Sequence, residues 1–185
     1  ILSAILFFSF FYSRSVFMGK LFDVAVEWLN EDDWSYSEFT RDNGDKYTRS
    51  GYSGDNSKFE LVLDAREETQ IFFVYVYFPL KVPEKNRLAV SELMTRINYN
   101  LKIGNFEFDM KDGEIRYKTS VDIEGSELVT KMIHNMVSAS LSTSDTYFPA
   151  VMHICYGNKT AVEALDELSN QSNEEEQVVE TTTIQ

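Results

Sequence analysis

A single cysteine, Cys155, cannot form an intramolecular disulfide, so the fold has no covalent staple and fits a reducing compartment. Histidine is nearly as scarce. His153 and Cys155 stand two residues apart, which places them on different faces of a helix and excludes a helical metal pair; His134 lies far from both in sequence. The expected state is a buried thiol and two partly exposed imidazoles. Basic residues are also few: 17 against 30 acidic ones, for a formal charge of −13. That balance lacks the cationic footprint needed for nucleic acid and disfavours adsorption to an anionic membrane. No phosphate-binding glycine loop, dinucleotide fingerprint or HExxH zinc motif occurs. Gly51-Tyr52-Ser53-Gly54 only faintly resembles a nucleophile motif, without the strand–turn–helix setting that chemistry needs, and reads as a polar loop.

Long hydrophobic runs are absent too. The most apolar stretch, ILSAILFFSFFY at residues 1–12, is shorter than the roughly 20 residues that span a bilayer. It also lacks the basic flank and small-residue cleavage site of a secretory signal. It reads as sequence upstream of a start at Met18, the alternatives being the remnant of an anchor or a helix that docks elsewhere. Met18-Gly19 is no myristoylation signal, because the sixth residue from that methionine is Asp23. Two sequons, at Asn158 and Asn170, matter only in a secreted chain.

What is present is the composition of one folded domain: 185 residues, 43% of them hydrophobic. Leu21, Ala25, Trp28 and Leu29 recur at helical spacing and predict a helix over 18–31. Residues 32–57 are polar and rich in Gly, Asp, Asn and Ser, which predicts turns around short edge strands. Phe59, Leu61 and Leu63 alternate as in a strand. After a turn in 66–69 comes IFFVYVYF (71–78), apolar on both faces, which predicts a central strand covered on both sides. Pro83-Glu84 opens a helix whose buried stripe is Val90, Met94, Ile97 and Leu101, with Gly104 beyond its end. A further helix starts near Ser126, with Val129, Met132, Ile133, Met136, Val137 and Leu141 facing the core. It should break within 142–149, because Pro149 removes a donor and clashes with the preceding turn. Helix then resumes as far as Gly157. Thr160 and Glu163 form a capping box that opens a last helix to about Leu168, followed by an acidic tail read as disordered.

FEFDMKDGEIRYKTSV (106–121) is the stretch densest in apparent chemistry. With Asp112-Gly113 as a two-residue type I′ loop, Lys111 faces Glu114, Asp109 faces Arg116 and Glu107 faces Lys118. The opposite face pairs Met110 with Ile115, Phe108 with Tyr117 and Phe106 with Thr119. Every charged pair is opposite in sign, whereas a calcium loop fails on spacing from Asp109 or Asp112. These carboxylates are therefore ladder partners, and no residue is assigned a catalytic, cofactor-binding or metal-ligating role.

The element order α-β-β-α-β-β-α, together with FEFDMKDGEIRYKTSVDIEG (106–125) and DTYFPAVMHICYGNKTAVEAL (145–165), resembles the YbjN domain family of bacterial sensory transduction regulators over residues 18–168. In the second stretch the resemblance rests on Asp145, Tyr147, Pro149, Gly157 and Ala164. It implies an α+β fold like the type III secretion chaperones, with a twisted antiparallel sheet packed by helices and often paired into homodimers. It implies no cofactor and no catalytic residue. Residues 1–17 and the polar stretch 32–57 depart from the family pattern. The domain expectation is thus an apolar extension (1–17), a YbjN-like domain (18–168) and an acidic tail (169–185). The functional expectation is a non-enzymatic, cytoplasmic module that holds a protein segment. Its alternatives are a small ligand-binding domain or enzyme, or a membrane-attached accessory protein using residues 1–17.

Overall fold

The computed structural model describes residues 20–170, so expectations for 1–19 and for the acidic tail fall outside the described residues. Helix α1 (Lys20–Glu31) buries Leu21, Phe22, Ala25, Trp28 and Leu29 along one stripe, as its spacing requires. Strands β1 (Tyr36–Thr40), β2 (Lys46–Ser53), β3 (Lys58–Arg66) and β4 (Ile71–Lys81) form an antiparallel meander. A single 3₁₀ turn (Glu84–Asn86) leads into α2 (Arg87–Asn98). Strands β5 (Asn105–Phe108) and β6 (Glu114–Asp122) follow, then the 28-residue α3 (Thr130–Gly157) and a helix α4 over 161–170. The sheet order is β1-β2-β3-β4-β6-β5.

All helices that touch the sheet lie on one face: α3 crosses β4 and β6, α1 meets β3, and α2 meets β5. Into that layer β3 sends Phe59, Leu61, Leu63 and Ala65, while β4 sends Phe72, Val74, Val76 and Phe78. Edge-to-face contacts tie the strands together there, with Phe106 and Tyr117 centred 4.8 Å apart and Phe59 and Phe78 5.3 Å apart.

Several expectations are corrected. Residues 32–57 hold a full hairpin, and its second strand, eight residues long, lies inside the sheet instead of at its edge. Its inward positions Thr48 and Ser50 are buried yet polar, so no apolar alternation announced the strand. Gly51 to Ser53, read as loop, are the end of β2. The 105–122 hairpin is shifted by two residues: Glu107 pairs with Arg116, Phe106 with Tyr117 and Phe108 with Ile115. An even shift keeps every side chain on its predicted face, so the alternation survives although the turn type does not. The turn closes through the Gly113 N–H to the Asp109 carbonyl at 2.8 Å, and only Gly113 has positive φ, whereas a type I′ turn needs Asp112 there too. Met110, now in the turn, is 46% exposed.

The break expected in 142–149 is also absent, and α3 runs through Pro149. Proline deprives the Asp145 carbonyl of its helical donor, and Asn56 Nδ2 supplies a substitute at 3.2 Å. The Asp145 carboxylate in turn accepts the backbone N–H groups of Asp55 (2.9 Å), Asn56 (3.0 Å) and Ser57 (3.2 Å). One helical residue therefore pins the β2–β3 turn with both its carbonyl and its side chain. Two smaller corrections concern helix ends. The 126–129 segment precedes α3 and leaves Val129 47% exposed, and α2 starts at Arg87 after the 3₁₀ turn.

Candidate interaction surface

The largest departure from sequence expectation marks the candidate site. IFFVYVYF forms the central strand β4, but helices cover only one of its faces. Phe73, Tyr75 and Tyr77 alternate with the core residues and project from the other face, each half-buried. Among the described residues no helix packs on that side. The rings line up along the strand, Phe73 stacking on Tyr75 at 5.6 Å and Tyr75 lying 6.1 Å from Tyr77. On the β1–β2 side of the same face, Phe39 stacks on Tyr47 at 5.1 Å.

Arginine is interleaved with these rings. Arg116, opposite Tyr77 on β6, places its guanidinium 4.6 Å from the centre of Tyr75 and donates to Tyr77 Oη at 3.2 Å. Arg41 lies 4.6 Å over Tyr47, and Arg49 lies 5.4 Å over Phe39. Each exposed contact of this kind contributes on the order of 0.5–1 kcal/mol. Four of the seven arginines in the sequence (Arg41, Arg49, Arg66 and Arg116) gather here, although the chain as a whole is strongly acidic.

Carboxylates fix these cations in place. Asp64, fully buried between its neighbours on β3, accepts from Arg41 at 2.9 Å and from Arg66 at 2.8 Å. Glu107 accepts from Arg116 Nε at 2.7 Å and also binds Lys118. Burial alone would raise the Glu107 pKa, but its bonds to Lys118 and Arg116 outweigh burial and hold it below the usual carboxylate range. Burial likewise opposes charge on Arg116, yet bonds to Tyr77 and Glu107 raise its pKa and keep it cationic. Tyr75 is pushed up chiefly by burial, so its phenol stays neutral. The result is a preorganised surface of aromatic faces and fixed guanidinium groups. At its end, where the β4–β6 register shifts around Pro79, a shallow groove of about 670 Å³ runs between Arg49, Glu60, Tyr77 and Glu114.

The groups weighed for chemistry from sequence fall elsewhere. Asp109 and Asp112 cap their own turn, accepting from the N–H groups of Lys111 (2.7 Å) and Glu114 (3.0 Å). Ser53 is paired with Lys58 in the β2–β3 ladder. His153 Nδ1 lies 2.8 Å from Glu167 Oε2, close enough for an ion pair but without hydrogen-bond alignment. Cys155 is buried, and burial raises its thiol pKa. The open-face aromatics were missed because an uncovered aromatic strand and a covered one read alike in sequence. The cue was one arginine on each strand flanking the aromatic run, Arg66 on β3 and Arg116 on β6.

The family model YbjN, "Putative bacterial sensory transduction regulator", matches residues 23–152. No curated protein matches. Among solved structures the chain is similar to "YbjN, a putative transcription regulator from E. coli", at 14% identity and a TM-score of 0.49, covering 74% of this chain and 90% of that one. It is also similar to a chain of the HopA1–SchA chaperone–effector complex, at 16% identity and a TM-score of 0.39, over 71% of this chain and 92% of that one. A chain of the ExsC–ExsE complex is similar at 12% identity and a TM-score of 0.36, over 58% of this chain and 76% of that one.

Proposed function

The chain belongs to the YbjN family, and from that footing we propose that it is a non-enzymatic regulatory module that holds a protein segment on the helix-free face of its sheet. The observation that carries this reading is the row Phe73, Tyr75 and Tyr77, braced by Arg116 and left uncovered by any described helix. Aromatic and arginine side chains dominate binding hot spots, because they combine large contact area with fixed polar geometry. A segment bearing aromatic and acidic side chains suits this surface, the aromatics stacking on the rings and the carboxylates meeting Arg49 and Arg116. A cytoplasmic location and pairing of two copies belong to the same reading, and molar mass in solution, measured by light scattering, checks the pairing.

The test is affinity capture with the full chain from a bacterial extract, repeated with Tyr75→Ala/Arg49→Glu and with the helix-side surface variant Lys131→Glu. The protein captured by the unaltered chain should be lost with the open-face variant and kept with the control. Retention by an open-face variant that unfolds like the unaltered chain would overturn the reading.

A further inference from the structure

A second feature lies on the opposite, helix-bearing side, independent of the open face. Between the end of α1, the β2–β3 turn and the middle of α3 is a cavity of about 430 Å³, within the usual range for small-ligand sites. One wall is a row of three aromatic rings. Trp28 and Trp34 are centred 5.7 Å apart, and Trp34 stacks on Tyr52 at 6.3 Å with 28° between planes. Asp32, Asp55 and Asp145 also line the cavity, and no lysine or arginine does.

The sequence places these groups together through two local devices. Helix α1 ends at Glu31, and Asp33 at φ 55° turns the chain so that Trp34 returns its N–H to the Leu29 carbonyl at 2.8 Å. That turn brings Trp34 back beside Trp28. The Asp145 clamp on the β2–β3 turn then fixes Asp55 near Tyr52 on the other side. Because three backbone N–H groups already occupy the Asp145 carboxylate, Asp32 and Asp55 are the carboxylates available to a ligand. Asp32 Oδ2 lies 3.5 Å from His134 Nδ1, the one other ionisable nitrogen at the site.

We propose that this cavity binds an organic ammonium cation, with Trp28, Trp34 and Tyr52 as its aromatic wall and Asp32 and Asp55 as counter-charges. Aromatic faces attract an organic ammonium group through their quadrupole, and tryptophan is the strongest of them. A metal ion would need several oxygen ligands converging at about 2.3–2.6 Å, and the described residues bring together no such cluster. An anion would meet carboxylates with no cation to offset them. A neutral apolar ligand would leave the aspartates unused. The net charge of −13 further concentrates cations near the site. The ammonium group can belong to a free quaternary solute or to the end of a lysine side chain, and the two sources are separable by experiment.

The only tryptophans in the sequence are Trp28 and Trp34, so intrinsic fluorescence reports on this cavity alone. The full chain is titrated with tetramethylammonium chloride, choline chloride and N-acetyl-lysine methylamide, with sodium chloride matching ionic strength and 3,3-dimethylbutanol as the uncharged isostere. A saturable change with at least one cation, absent with the isostere, is expected. Choline and tetramethylammonium acting alone identify a free quaternary solute; the lysine derivative acting alone identifies a side chain; a response to all three identifies the ammonium group as sufficient. Trp34→Ala should weaken binding about tenfold, the loss of one strong aromatic contact. Asp32→Asn, a surface change compatible with folding, should weaken it about threefold. A response that only tracks sodium chloride, an equal response to the isostere, or undiminished binding in both variants would overturn the proposal.

Discussion

Gly113 sits at φ 82°, and a Cβ there would stand 2.3 Å from the carbonyl oxygen of Val82. The contact exists because the hairpin turn docks on the end of β4, with the Val82 N–H donating to the Gly113 carbonyl at 2.8 Å and Arg87 Nη1 donating to the Met110 and Lys111 carbonyls at 3.1 Å. Gly113→Val should therefore cost on the order of 1–3 kcal/mol in backbone strain, with a similar amount for overlap. Asp112→Asn keeps the oxygen that caps Glu114 and loses only an exposed pair with Lys81, so its urea midpoint should barely move. Equal midpoints for the two variants would contradict this account of the turn. Glu107 gives a pH prediction. Its folded pKa is depressed, so its stabilisation is present above its unfolded value near 4.3 and is lost as pH falls through the lower folded value. The thermal midpoint of the unaltered chain should drop more steeply between pH 6 and 3 than that of Glu107→Gln. Parallel curves would show that the Arg116–Glu107–Lys118 cluster contributes nothing to acid stability.

At the scale of elements, the informative case is the coupling of α3 to the β2–β3 turn. Pro149 leaves the Asp145 carbonyl open, and Asn56 fills it. Asn56→Ala should cost about 0.5–1.5 kcal/mol, the usual net value of one hydrogen bond. In a Pro149→Ala background, where the helix regains its own donor, that cost should shrink. Additive free energies in this double-mutant cycle, measured by urea unfolding, would refute the substitution of one donor for the other. The sequence signalled Pro149 as a break because the compensating amide lies 93 positions upstream, out of reach of any local reading. Helix α1, the two strands β3 and β4 and the capping box were legible because their cues are local, whereas the β3–β4 register was not. Thr160 and Glu163 do bond reciprocally, the Thr160 N–H to Glu163 at 2.8 Å and the Glu163 N–H to Thr160 Oγ1 at 3.3 Å. The 36–53 hairpin was hidden because Thr48 and Ser50 bury polar side chains, Ser50 Oγ donating to the Ser35 carbonyl at 2.7 Å. The 105–122 hairpin was legible in facing but not in register, since Asp-Gly permits more than one turn.

For the molecule as a whole, one sheet has two unlike faces. The helix side encloses the core, and the other side holds aromatic rings and arginines in fixed positions without a described cover. Composition alone could announce neither face, because the same apolar run satisfies a core and a binding surface. A chain beginning at Met18 should unfold cooperatively with the midpoint of the full chain, because the buried stripe of α1 begins at Leu21; loss of cooperativity on heating would assign a folding role to the preceding residues. The open face is the proposed seat of the protein partner. Hydroxyl-radical footprinting of the full chain, alone and with its captured partner, tests it most directly. Phe39, Tyr47, Phe73, Tyr75 and Tyr77 should be protected in the complex, with Tyr99 and Tyr156 on the helix-bearing side unchanged. Protection of Tyr99 or Tyr156, with the open-face rings as reactive as in the free protein, would contradict it.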